Sequence, residues 1–196
     1  MKKLTVKNVL AAMKKLGHAV FETGDFNLNL IGIRTKDATT NTFNDYLVCL
    51  FKQKGEWVLL QFAATTDPGL YYLENPLNVS GCAIVKPGQY SGLWQLGLHR
   101  NAYKALVQKK PVTVYRDNNG DGVLDFKNEQ TGHFGINCHR AQKAQESNLV
   151  HRWSAGCQVF ADGFDFEIFM AVCEKSAKAY GNSFTYTLIE DTDLGA

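Results

Sequence analysis

The chain has 196 residues, 45% hydrophobic and 20% charged, the composition of an ordinary globular protein with enough apolar material for a sizeable core. A net charge of +2, a pI of about 8.2 and the absence of long basic runs argue against nucleic acid as a partner. No apolar stretch reaches the length of a membrane span.

Taken in chain order, residues 5–16 carry Val6, Val9, Leu10, Met13 and Leu16 on one stripe with lysines opposite, which predicts a helix capped by Thr5 and stopped at Gly17. That stripe either docks a partner or packs on the rest of the protein. Packing is the expectation, so residues 1–25 read as an accessory segment and 26–196 as the main domain. His18–Glu22 reads as a short strand or extended link, and 26–34 alternates as a strand. Thr35–Asn44 is loop. Tyr46–Lys52 and Glu56–Thr65 form a hairpin around Lys54-Gly55, and Asp67-Pro68-Gly69 is a turn. Tyr71, Tyr72, Tyr90 and Trp94 either line a groove or pack a sheet. Strands are expected at 83–85, 89–90, 94–99 and 111–116, and a short helix at 101–108. Phe166, Ile168, Phe169, Val172, Cys173, Ala177 and Tyr180 make 163–180 a helix ended by Gly181. A closing strand follows at 184–189, and the acidic residues 190–196 are expected to fray.

Between the later strands, Asp117-Asn118-Asn119-Gly120-Asp121-Gly122-Val123-Leu124-Asp125 has the oxygen spacing of a calcium loop. Asp117, Asn119 and Asp121 stand at positions 1, 3 and 5, Gly122 at the sharp turn and Asp125 at position 9. Asn128 takes the twelfth position, where a bidentate Glu is usual. The competing reading is a polar hairpin turn. No cofactor is required by any motif, and a calcium ion here would be structural.

The five cysteines are odd in number and form no CxxC pair, which points to synthesis in a reducing compartment without a disulfide framework. Cys49, Cys82 and Cys173 lie in apolar segments and read as core. Cys157 differs. It follows Ser154-Ala155-Gly156, small residues that permit a tight turn and leave room for a carbonyl, with backbone N–H groups of Gly156 and Cys157 as oxyanion donors. A thiol needs a base, and His139 ends the apolar run Phe134-Gly135-Ile136-Asn137-Cys138, expected as a strand. Cys138, one residue earlier, should face the other way. His151 is the second candidate base. Arg140, His151, Arg152 and Trp153 bring charge and an aromatic wall to Cys157 and are the candidate substrate contacts.

This pattern resembles the catalytic motif of the L,D-transpeptidase (YkuD-type) family of peptidoglycan enzymes. In that family an apolar strand ends in the base, and Ser/Thr-X-Gly-Cys follows some fifteen residues on. Here Ser154 lies fifteen positions after His139. Ala155 stands where a histidine is frequent, and Gln158 near where an arginine is common. The resemblance covers roughly residues 131–160. It implies a β-rich α+β fold, Cys157 as nucleophile, His139 as base, Ser154 and Gly156 as motif residues, and peptidoglycan as partner. Residues 1–16 show no continuous apolar run of a secretory signal. With the resemblance, this implies a phage-type lysin made in host cytoplasm and released at lysis or packaged with other virion proteins. Its expected activity is hydrolysis of stem peptides. The alternatives are cross-link formation and a non-catalytic protein that keeps the fold.

Overall fold

The computed structural model describes residues 4–37 and 40–195. Met1, Lys2 and Lys3 of the signal reading, and Ala38 and Thr39 of the Thr35–Asn44 loop, lie outside the described residues. The fold is β-rich α+β. Eight strands close into a barrel in the order β1 (Asn29–Arg34), β11 (Phe184–Glu190), β5 (Gly88–His99), β6 (Tyr103–Gln108), β9 (Cys138–Arg140), β10 (Gln158–Phe160), β3 (Glu56–Thr65) and β2 (Asp45–Gln53). Two pairs are parallel, β1 with β11 and β9 with β10. A smaller sheet, β4 (Cys82–Val85), β7 (Val112–Asp117) and β8 (Gln130–Gly132), stands beside it.

Alternation sorts the strands into an inner and an outer face. Inward residues such as Leu30, Cys49, Phe62, Trp94, Leu106, Cys138, Phe160 and Tyr186 form one buried core. Helix α3 (Gly163–Tyr180), capped by Asp162, adds Phe166, Phe169, Met170 and Cys173 to it, and the small sheet adds Ala83, Val85, Val112 and Val114. Helix α1 (Val6–Lys15) lays Val9, Ala12 and Met13 on the outer residues Ile31, Ile33, Val48, Leu50 and Ile189. Thr5 caps α1 in a box with Asn8, and its stripe packs as expected. A five-residue helix, α2 (Leu70–Glu74), follows the Asp67–Gly69 turn.

The structure corrects four expectations. Residues 101–108 are strand β6, not a helix. Arg100 and Asn101 both have positive φ and Ala102 N–H bonds the His99 carbonyl, a turn that returns the chain along β5. Residues 133–137 are irregular, and only Cys138–Arg140 is strand. There the Gln108 side chain does the work of a neighbouring strand, its Oε1 accepting from Phe134 and Ile136 N–H at 2.9 Å each. Residues 18–22 form no strand, although the side chains of Gln89 and Asn29 bond their backbone. Asp191–Leu194 do not fray but form a 3-10 turn whose Leu194 is buried against α1, while Ala196 of that expectation lies outside the described residues.

Candidate active site

The site forms where β9 and β10 run parallel. Their register sets Val159 beside His139 and Gln158 beside Cys138. Cys138 faces the core, as its position before His139 predicts, and Gln158 points inward with it. Cys157, immediately before β10, therefore lies on the same side as His139 and diagonally across the strand pair from it. In the resting structure Cys157 Sγ donates to the Gly135 carbonyl at 3.4 Å and accepts from Asn137 N–H at 3.5 Å; His139 is not among its partners.

The turn before Cys157 is fixed by Ser154. Its buried hydroxyl donates to the Cys157 carbonyl at 2.8 Å and accepts from Gly156 N–H at 3.1 Å. Ser154 is thus a positioning residue. Gly156 has φ of 119°, and a Cβ there would collide with the Ala83 carbonyl, so only glycine fits. Because Gly156 N–H is committed to Ser154, the oxyanion donor left at the turn is Cys157 N–H, which has no partner among the described residues.

His139 is 3% exposed. Its Nδ1 lies 2.9 Å from the Arg140 carbonyl, which can only accept, so Nδ1 carries the proton and Nε2 keeps its lone pair for a thiol. The Tyr103 hydroxyl lies on the same edge, 3.5 Å from Nδ1. Burial first, then the neighbouring His99, push the His139 pKa down to about 3. Burial also raises the Cys157 thiol, against the opposing pull of Asn137 N–H and the Arg100 cation. The resting pair is neutral thiol and neutral imidazole.

Two residues of the site carry no motif. His99 stacks on His139 with ring centres 4.0 Å apart. Its Nδ1 lies 3.2 Å from Asn137 Nδ2, and the amide's orientation follows from Gln108 N–H, which needs Oδ1. Arg100, at φ of 50°, is the arginine whose charge acts on Cys157. The only sequence signal for either was proximity across a turn, and the 101–108 helix expectation concealed that turn.

The candidate substrate contacts divide. Arg140 lies over the Tyr103 ring at 4.0 Å, and Arg152 over Tyr71 at 3.8 Å. With His99, Arg100, His139 and Trp153 they line a cleft of about 120 Å³. His151 is exposed; its backbone N–H donates to Asn41 Oδ1 and its backbone packs on Gly69. Ala155 lines a second cleft, of about 350 Å³, which shares no lining residue with the first. Gln158 bonds the Thr66 and Gly156 carbonyls and accepts from the Tyr186 hydroxyl, holding the turn from inside the barrel.

The 117–125 loop bonds largely to itself. Asn119 Nδ2 sits 2.9 Å from Asp121 Oδ2 and 3.3 Å from Asp125 Oδ2, and Asp125 N–H donates to Asp117 Oδ2. Lys127 lies 3.4 Å from Asp125. Among the described residues no three His, Cys, Asp or Glu side chains form a group ready to hold a metal. Asp117 Oδ1, however, is buried with no partner. An orphaned hard oxygen beside two carboxylates and an amide fits calcium better than a softer metal.

Among the described residues no helix is long and apolar enough to cross a membrane. Compared with protein-family models, curated proteins and solved structures, the chain gives no match in any of the three.

Proposed function

We propose that the protein is a cysteine peptidase of peptidoglycan stem peptides working through an acyl-enzyme. The observation that carries this reading is the placement of Cys157, on a glycine turn with its own N–H free, diagonally across β9 and β10 from a buried His139 whose Nδ1 bonds the Arg140 carbonyl and leaves Nε2 as the base. Substrate binding breaks the weak Sγ contact to Gly135. His139 Nε2 then takes the thiol proton as sulfur bonds the carbonyl carbon, and Cys157 N–H receives the oxyanion. As the C–N bond breaks, His139 returns the proton to the departing amine. Water, deprotonated by the same Nε2, then adds to the thioester carbon, and the sulfur leaves. The restriction to peptidoglycan rests on the motif resemblance, and the arginine-lined cleft suits an anionic peptide.

The test is mass spectrometry of purified peptidoglycan fragments incubated with the protein and with Cys157→Ala. Wild type should shorten or separate stem peptides, and Cys157→Ala should lose at least about a thousandfold in rate while keeping its melting temperature. Cleavage that survives in Cys157→Ala would end this reading. An amine-exchanged product dependent on Cys157 would make the enzyme a transpeptidase.

For the 117–125 loop we propose a structural calcium ion held by Asp117, Asn119, Asp121 and Asp125. The orphaned Asp117 oxygen supports it. Turning the Asn119 amide over would replace a donor by an acceptor between Asp121 and Asp125. Millimolar calcium should raise the melting temperature by several degrees, and Asp121→Asn should abolish the rise. An equal melting temperature in calcium and in chelator would remove the ion from the account.

A further inference from the structure

The second cleft, lined by Ala155 of the Cys157 turn and by no residue of the first, contains a cation without a counter-ion. Arg116, on β7, is 7% exposed. Its Nε donates to Gln130 Oε1 at 2.8 Å, its Nη1 donates to the Gly81 carbonyl at 3.1 Å, and its guanidinium lies 4.4 Å over the Phe134 ring. These contacts fix the plane of the group and use neutral partners only. Among the described residues no carboxylate pairs with it, and Nη2 has no hydrogen-bond partner. Arg116 lines the 350 Å³ cleft together with Asn78, Ala83, His133, Phe134 and Ala155. Ala155 stands two residues before the nucleophile, and Phe134 precedes Gly135, whose carbonyl holds Sγ. Nη2 is not among the buried unpartnered atoms, so the free edge of the group is accessible. A planar, pre-oriented guanidinium with a free edge is built for a carboxylate.

We propose that this cleft is the acyl-side subsite and that Arg116 binds a free carboxylate on the part of the substrate that stays on the enzyme. The inference rests on the acyl-transfer reading. His139 lines the other cleft and must protonate the departing amine, so the leaving group lies there. The acyl half then extends past Ala155 towards Arg116. The substrate class is a peptide whose acyl half carries an unamidated carboxylate near the scissile carbonyl. The interaction specifies substrate and takes no part in the bond changes.

The experiment uses two synthetic stem peptides identical except that this carboxylate is free in one and a carboxamide in the other. Binding is measured by calorimetry on Cys157→Ala, and turnover on the otherwise unchanged enzyme. The carboxylate peptide should bind roughly tenfold to a hundredfold more tightly. Arg116→Gln should erase that preference, raising KM for the carboxylate peptide to about that of the carboxamide peptide. Asn78→Asp, an exposed change on the cleft wall, should weaken the preference without touching the fold, and serves if Arg116→Gln does not fold. Equal binding of the two peptides, or a preference unchanged in either folded variant, would overturn the subsite. Selective binding without turnover would keep the subsite and sink the peptidase reading instead. Turnover without selectivity would do the reverse.

Discussion

At the scale of single residues, the chemistry of the site is set by what surrounds two ordinary groups. His139 is driven far below the usual imidazole range by burial and by the stacked His99, so it is a neutral base at any pH near neutrality. The acid limb of kcat/KM should therefore fall near pH 3, not near the 6.5 of free imidazole, unless unfolding intervenes. The same shift has a stability consequence. The unfolded chain takes up this proton as pH drops through about 6.5 and the folded chain does not, so stability declines from there downward. Arg100 acts on the other partner. Its charge favours the thiolate, and its positive φ strains an ordinary side chain. Arg100→Asn keeps a residue suited to that turn and removes the charge. Alkylation of Cys157 at fixed pH should slow by about threefold to tenfold, with Cys49 and Cys173 inert in both proteins. Unchanged alkylation would mean that the thiol does not feel Arg100.

At the scale of elements, the sequence was legible wherever one face of an element meets a core. The stripe of α1, the hairpin around Lys54-Gly55, helix α3 and strand β11 all fall where periodicity puts them. It was illegible where side chains stand in for backbone. Phe134–Asn137 has the composition of a strand, yet Gly135 takes a positive φ and Gln108 supplies the missing acceptors. A glutamine twenty-six residues upstream leaves no local mark. Strand β6 was hidden in another way. Tyr103, Ala105 and Val107 alternate with Lys104 and Leu106, but both faces of the strand are partly covered, which blurs the period of two. The nucleophile segment was readable because a tight turn tolerates few residue types at Ser154 and Gly156. The supporting residues were not, because His99 and Arg100 come to it through the pairing of β6 with β9, and Arg116 through the separate small sheet.

At the scale of the whole molecule, the two ends of the chain close the structure together. Strands β1 and β11 pair in parallel, and α1 covers their outer faces along with Leu194 of the C-terminal turn. Leu4 and helix α1 thus share a core with the outer face of the barrel. Strands β9 and β10, which carry the proposed site, lie on the opposite side of the strand order from β1. Stability and chemistry should therefore separate. Met13 is 1% exposed in the α1 cluster, and Met13→Ala should cost about 2–4 kcal/mol. For a chain of this size that lowers the melting temperature by roughly 5–15 °C. At a temperature where the variant remains folded, the alkylation rate of Cys157 should equal that of wild type, because the described core cluster that α1 joins contains no residue of β9 or β10. A melting temperature within about 2 °C of wild type would mean that α1 is loosely held, its stripe free to dock a partner. A large fall in thiol reactivity without unfolding would mean that the barrel transmits strain across its full width, and that the site depends on the packing of its far wall.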